Sequence, residues 1–518
     1  MKSHAPNTSS RTFFGIRNGQ VGFLYYLASL FIGFISRKFF LNYLGAEFLG
    51  LNTTAENLLG ILNLSELGIG MAVAYTLYKP LLQHDEGRIR EIITLQGWMY
   101  RRIGWMVGMS ALILMLFFPH IFSKTDLPLG YAYATFGVFL YSTLLTYFFN
   151  YKQILFSSNQ QQYQIILHYQ SILLLKNIVQ ILAFLCLPSP YISWLLLQVV
   201  FATVASAQLH RAVNKHFPFL EKSAQDARTL MKRYPHLLTQ IKQVFFHRLA
   251  SFALTQSSPL IIFAYANLTL VALYGNYQLI CLTVQKLVDS LFTGVHAGIG
   301  HLIAENNRQR ILAVFQELFS IRFLLTCVCC YCLIQLMEPF ICLWIGADYV
   351  MPRSTLYLIT AILYINLSRQ TVETYIAAHG MYQDIAAPII ETFLNLGLSC
   401  LLGYFWGIDG ILTGVLISLI VVVLGWKPYF LFRFGLKCKL RIYVRTYFIH
   451  LCCLSVAYFL TEGIKQLCPI PPIHHYMQFL GIGILHFLTF GGMLYGLLWL
   501  FTPGMKAFSR RIIQLIRS

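Results

Sequence analysis

The stretch GLNTTAENLLGILNLSELGIGMAVAYTLYK, residues 50–79, carries two instructions at once. It is apolar over more than the roughly 20 residues that a helix needs to cross a bilayer. Yet Asn52, Glu56, Asn63, Glu66 and Gly70 recur at steps of 4, 7, 3 and 4, which puts them on one helical face. A carboxylate at bilayer depth costs about 3 kcal/mol or more, so that face must meet protein or water. The segment reads as a membrane helix with one stripe turned away from lipid.

The rest of the 518-residue chain repeats that reading. It is 57% apolar and only 11% charged, with a mean hydropathy of +0.63, which excludes an ordinary water-soluble globule. Apolar stretches of spanning length run over 18–44, 50–79, 97–118, 127–150, 163–187 and 191–209. After a polar interval come 237–266, 268–298, 311–336, 354–379, 384–406, 408–428, 443–464 and 476–501. The expected fold is an all-α integral membrane protein of about fourteen spans. The apolar run after Lys2, Arg11 and Arg17 is followed by many more spans and by no small-residue cleavage site, so it reads as the first span rather than a secretory leader.

The excess of 38 basic over 19 acidic side chains is mostly a topology signal. Lys and Arg gather in the loop at 211–233, in the loop at 427–445 and in the tail at 506–517, and short basic loops stay cytoplasmic. With an even number of spans both termini fall inside, and nucleic acid is not an expected partner. Anionic lipid headgroups are a secondary reading of the same charge. The 12 cysteines are scattered through apolar segments, with Cys327, Cys329, Cys330 and Cys332 in one candidate helix; packing is the expected role, and no metal is expected.

An internal repeat is visible at a constant offset of 222 residues, which pairs Tyr43 with Tyr265, Ile89 with Ile311, Asn52 with Tyr274, Glu56 with Gln278 and Asn63 with Gln285. Duplicated bundles are common in transporters, with the substrate carried between the copies. The corresponding division is a six-helix bundle over 1–210, a basic linker over 211–236, a second six-helix bundle over 237–436, and two further helices with a basic tail over 437–518. Span eight also repeats the polar stripe, with Tyr274, Gln278, Gln285, Asp289 and His296 stepping 4, 7, 4 and 7. Singly, such residues serve as hydrogen-bonding glue between membrane helices. Two stripes on equivalent helices point to a hydrated cleft.

Basic residues in or near spans narrow the ligand class to an anion. They are Arg37 and Lys38, Lys176, Lys242 and Arg248, and Lys286. Arg248 lies near mid-membrane, whereas Arg37, Lys38, Lys242 and Lys286 are near enough to span ends to snorkel. A guanidinium clamps phosphate oxygens bidentately, and a lysine offers a mobile point charge. The candidate substrate-binding set is therefore Arg37, Asn52, Glu56, Asn63, Arg248, Gln278, Gln285 and Lys286. Glu66, Asp289 and Glu391 are candidates for a coupling H+ or Na+. Internal neutralisation is the competing reading, with Arg369 pairing Glu373 at i,i+4 and Lys286 pairing Asp289 at i,i+3. No nucleotide-binding phosphate loop or zinc-protease motif is present, so no cofactor and no enzymatic chemistry is expected.

The run YLGAEFLGLNTTAENLLGILNLSELGIGMAVAYTLYKPL, Tyr43 to Leu81, resembles the first helical pair of the Wzx-type polysaccharide repeat-unit flippases, a branch of the multidrug/oligosaccharidyl-lipid/polysaccharide (MOP) exporter superfamily. AGIGHLIAEN, Ala297 to Asn306, resembles the corresponding end of span eight, with His301 standing where the family often has Asn. The resemblance implies two six-helix bundles that open alternately to each side of the bacterial cytoplasmic membrane. It implies an undecaprenyl-diphosphate-linked oligosaccharide as substrate, the repeat unit of O-antigen, capsule or exopolysaccharide, with Arg37 and Arg248 as diphosphate-recognition candidates by location. The expected partners are that lipid, the bilayer and polysaccharide polymerase machinery. An ion-coupled multidrug exporter of the same superfamily is the alternative, and a membrane glycosyltransferase or polymerase ranks last because the external loops are short.

Overall fold

Forty-three helical residues from Gln20 to Leu62 would run about 65 Å if straight, twice the hydrocarbon thickness of a bilayer. The chain solves this with a glycine. Gly45 takes φ 82° and ψ 177°, a conformation open to a residue without Cβ, and divides helix α1 (Thr8–Leu62) into two. Gly407, at φ 57° and ψ −134°, does the same inside the long helix of residues 386–419. In that second case the Ser399 hydroxyl donates to the Ile411 carbonyl at 3.0 Å across the turn, which ties the two arms together.

The computed structural model describes residues 8–63, 69–123, 125–220, 227–235, 258–292, 299, 302–303, 307–379, 381, 384, 386–467 and 473–517. These residues contain helices and no strands. Seven helical stretches among them are long and apolar enough to cross a membrane, and a bent pair, Leu129–Phe148 with Asn150–Ser158, supplies an eighth. The contacts divide the chain into two units, Met1–Ala272 and Leu273–Ser518.

In the first unit α1 is followed by α2 (Ile69–Gln83), α3 (Glu86–Leu116), α4 (Leu129–Phe148), α5 (Ser171–Cys186), α6 (Pro190–His216) and the short α7 (Ala227–Arg233). α1 packs on α4 and α5, and α6 on both of those. α7 docks on α3, where Arg233 pairs with Glu91 at 2.6 Å and the Tyr234 hydroxyl donates to the other Glu91 oxygen at 2.7 Å. Part of the basic linker is thus fastened to the first unit.

In the second unit the helices are α8 (Leu268–Leu291, whose first turn belongs to the first unit), α9 (Arg308–Trp344), α10 (Arg353–Ala378), α11 (Ala386–Leu419), α12 (Leu440–Leu467), α13 (Tyr476–Phe501) and α14 (Pro503–Arg517). α9 is the hub and touches α10, α13 and α14. The last two long helices are bonded into this unit. The Tyr331 hydroxyl and the Gln335 amide of α9 both donate to Glu462 of α12, at 3.2 and 2.8 Å, and Lys465 donates to Gln335 at 2.7 Å. Cys327, with Tyr331 and Phe323, packs against Phe490, Leu494 and Leu498 of α13, so that cysteine serves the core.

The 222-residue offset has a structural counterpart in the caps. Asp85 accepts the Arg88 amide at 3.0 Å to cap α3, and Asn307, 222 residues on, accepts the Arg310 amide at 3.2 Å to cap α9. Ile89 and Ile311, one turn inside each helix, are both buried. The next helix in each unit, α4 or α10, begins after a proline, Pro128 or Pro352.

A helix crossing explains a second glycine. A Cβ on Gly50 would lie 1.9 Å from the Leu268 carbonyl oxygen, so only glycine permits this approach. Gly50→Ala is expected to push α1 away from the Leu268 backbone at a cost of about 1–3 kcal/mol. A lowered melting temperature of the detergent-solubilised protein checks this, and an unchanged one contradicts it.

Candidate functional site

The motif at Tyr43–Leu81 proves largely architectural where the structure describes it. Gly45 makes the break, and Gly50 makes the close crossing. Glu47 accepts from the Thr125 hydroxyl at 2.5 Å and from the Asp126 amide at 2.9 Å, which pins the loop leading into α4. Asn52 is buried and accepts from the Tyr191 hydroxyl of α6 at 2.8 Å, and that hydroxyl also bonds Thr135 of α4. Asn63 accepts from the Tyr147 hydroxyl at 2.9 Å. These two asparagines join helices of the first unit, the packing use that single polar residues commonly serve.

Glu56 stands on the same stripe and behaves differently. Its side chain is exposed, although it lies in the electrostatic reach of both Arg37 and Lys176. Counting helix rise from Gly45, Arg37 lies about 12 Å and Glu56 about 16 Å into their helices. Lys176 lies about 15 Å from the Cys186 end of α5 and Gln198 about 12 Å from the Pro190 end of α6. These ends adjoin one another, because the Tyr43 ring stacks on Phe184 with centroids 5.8 Å apart and Phe40 meets Trp194 at 5.4 Å. Lys176 donates to the Gln198 carbonyl oxygen at 2.6 Å, which holds its ammonium in place. The result is a cluster of two cations and one open carboxylate well inside the first unit. A carboxylate at that depth needs partners, and Arg37 and Lys176 lie within its electrostatic reach. Arg37 is therefore placed to serve this cluster as well as to snorkel.

The second unit carries two ionic groupings. Arg322, only 4% exposed, bonds Asp289 at 3.1 Å and the Leu367 carbonyl at 3.2 Å, and its guanidinium lies 4.1 Å from the centre of the Phe292 ring. The expected i,i+3 partner of Asp289 was Lys286; the carboxylate instead faces α9, and Lys286 is exposed. Helical spacing brings Lys286 near, but the tertiary crossing brings a forked, buried donor nearer. The i,i+4 pair of Arg369 with Glu373 is present at 2.7 Å. It extends to Glu391, which is 1% exposed and 3.6 Å from Arg369, and to Lys427, which pairs with Glu373. Two cations and two carboxylates thus balance in one group, of which Glu391 is the buried member. On α8, Gln278 donates to Tyr274 one turn back and Gln285 is half-buried. Arg248, Lys242 and Glu66 lie outside the described residues.

Sequence reasoning passed over Arg322, although a lone arginine inside the apolar run 311–336 was the available signal. It also left Lys176 out of the principal set, because only the packing of α5 on α1 brings that side chain toward Glu56.

No family model matches this chain, and no curated protein matches it. Among solved structures it is similar to that of the lipid II flippase MurJ in an inward closed conformation. The identity is 18%, the match covers 91% of this chain and 99% of that one, and the TM-score is 0.64. It is also similar to an inward-facing multidrug resistance MATE family transporter of the MOP superfamily, with 13% identity, coverage of 79% and 95%, and a TM-score of 0.57. At these identities the likeness is one of fold. With the apolar helices, it makes the chain a multi-pass membrane protein.

Proposed function

We propose that this chain is a flippase of the Wzx type, which carries undecaprenyl-diphosphate-linked oligosaccharide repeat units across the bacterial cytoplasmic membrane by alternating access. The observation that carries this reading is the grouping of Arg37 and Lys176 about the exposed Glu56 inside the first unit. A diphosphate needs cationic donors at a depth where lipid excludes charge, and here two stand on neighbouring helices. Arg37 supplies planar, bidentate recognition of phosphate oxygens; Lys176 supplies a point charge steadied by Gln198. Glu56 offsets one of the two positive charges and yields to the incoming phosphates. The sugars lie beside Glu56, the exposed member of the stripe, and the polyprenyl chain stays in lipid. No covalent bond changes, so the role is transport rather than catalysis. Arg248, Gln278, Gln285 and Lys286 remain candidates for further headgroup contacts.

In this reading the basic loops and both termini face the cytoplasm, and polysaccharide polymerase machinery receives the product. A coupling H+ or Na+ enters at a carboxylate. For Asp289 and Glu391 this requires the ion to displace Arg322 or Arg369, since each is engaged in an ion pair.

A second reading, an ion-coupled multidrug exporter, draws support from the open Glu56 carboxylate, which would attract a cationic drug. The leaflet distribution of the oligosaccharide-lipid separates the two. In cells lacking this protein and any redundant flippase, intact repeat units are expected to accumulate on the cytoplasmic leaflet and to clear when the wild-type chain is restored. Normal translocation in those cells, together with lost drug resistance, would replace the first reading with the second.

A further inference from the structure

Among the described residues the final helix is unlike the other long elements. α14, PGMKAFSRRIIQLIR, carries four basic residues and no acidic one, and it is too short and too polar to span a bilayer. Only Thr502 separates it from α13, and that residue is extended, at φ −119° and ψ 131°, so the chain turns directly from a spanning helix into α14. The junction is fixed. The Thr502 hydroxyl donates to the Leu498 carbonyl at 2.6 Å, and a Cβ on Gly504 would lie 2.2 Å from the Gln316 carbonyl oxygen of α9.

The faces of the helix are divided. Met505 and Ser509 are buried, with Ser509 bonded to Tyr495 of α13 at 2.9 Å. Arg511 is drawn to one flank by Glu317 of α9, at 3.0 Å. Lys506 and Arg510, four residues apart, share the opposite flank, where Arg510 is exposed and Lys506 half-exposed. Beside them stand exposed apolar groups: Ile513 at 49%, and Trp499 and Phe501 at the end of α13 at 45% and 63%. Aromatic residues at the end of a span mark the level of the lipid headgroups. A basic flank and an apolar edge therefore meet at that level.

We propose that α14 is an interfacial anchor that binds anionic phospholipid, with Lys506 and Arg510 on lipid phosphates and Ile513 and Phe501 at the acyl boundary. Charge complementarity selects the occupant. An amphipathic helix with Lys and Arg on its polar face binds anionic membranes through both terms together. Because Arg511 and Gly504 lock the same helix to α9, lipid bound at α14 bears on the hub of the second unit. This inference does not depend on the transported substrate.

The test uses the full chain in nanodiscs of phosphatidylcholine, with or without phosphatidylglycerol. Backbone hydrogen exchange over 505–517 is expected to slow several-fold when phosphatidylglycerol is present, and the slowing is expected to vanish in K506Q/R510Q. Native mass spectrometry is expected to show fewer phosphatidylglycerol molecules retained by the double variant. Exchange that is indifferent to lipid charge, or equal retention by wild type and variant, overturns the proposal. A second variant, Arg511→Gln, guards against general unfolding: it is expected to loosen α14 in both lipids while keeping the response to phosphatidylglycerol. Loss of that response in R511Q with full retention in K506Q/R510Q would place recognition on the wrong flank and also overturn it.

Discussion

Changing Arg37 and Lys176 together to glutamine is expected to slow translocation of the oligosaccharide-lipid by at least about tenfold while the protein stays folded. Each hydrogen bond from a cation to a phosphate contributes about 1.5–3 kcal/mol, and 1.4 kcal/mol is a factor of ten. The lower end applies here, because Glu56 competes with the phosphates for the same two cations. Folding is expected to survive because Glu56 is exposed and glutamine keeps much of the side-chain volume. Either single variant is expected to lose less than the double. Initial rates in proteoliposomes, read beside melting temperatures, provide the check. A double variant that transports at the wild-type rate would remove the cluster from the mechanism.

The second large effect is on stability. Arg369→Met leaves Glu373 with Lys427 but removes the cation nearest Glu391, whose side chain is buried. Breaking a buried pair by deleting one partner costs about 3–5 kcal/mol, because the other charge stays out of water. R369M is therefore expected to unfold at markedly lower denaturant concentration than wild type. Adding Glu391→Gln to R369M is expected to recover much of the loss, and that recovery distinguishes an uncompensated charge from lost packing. Equal stability of R369M and wild type would mean that Glu391 is already neutral in the fold, which would favour its role as a proton carrier.

Much of the architecture was legible because it rests on local chemistry. Apolar runs of spanning length and the i,i+4 spacing of Arg369 and Glu373 are short-range statements, and the helices and that ion pair follow them. The site was less legible because its partners come from far away in sequence. Nothing local distinguishes Asn52, which bonds a tyrosine 139 residues on, from Glu56, which is exposed one turn later. The stripe showed that this face avoids lipid; only the packing of α4, α5 and α6 sorted its members into glue and lining. The same limit explains Asp289, whose nearest cation by helical spacing is Lys286 and whose cation in the fold is Arg322.

The motif that carried the family resemblance also changes meaning in three dimensions. Gly45, Glu47, Gly50 and Asn52 each solve a packing or turning problem at one corner of the first unit. Such residues record a shared fold more directly than a shared cargo, and the likeness to MurJ at 18% identity is of that kind. Cargo must be argued from Arg37, Lys176 and Glu56, which lie off that corner or on the stripe's open member.

The most direct test of the central claim is transbilayer movement of a labelled undecaprenyl-diphosphate oligosaccharide in vesicles holding the purified wild-type chain. The proposed function predicts that the headgroup label becomes accessible from the opposite side far faster than in protein-free vesicles. An undecaprenyl-monophosphate analogue is predicted to move more slowly, since it offers the two cations fewer phosphate oxygens. Label that crosses no faster with the protein than without it, in vesicles where any required H+ or Na+ gradient is imposed, would contradict the account.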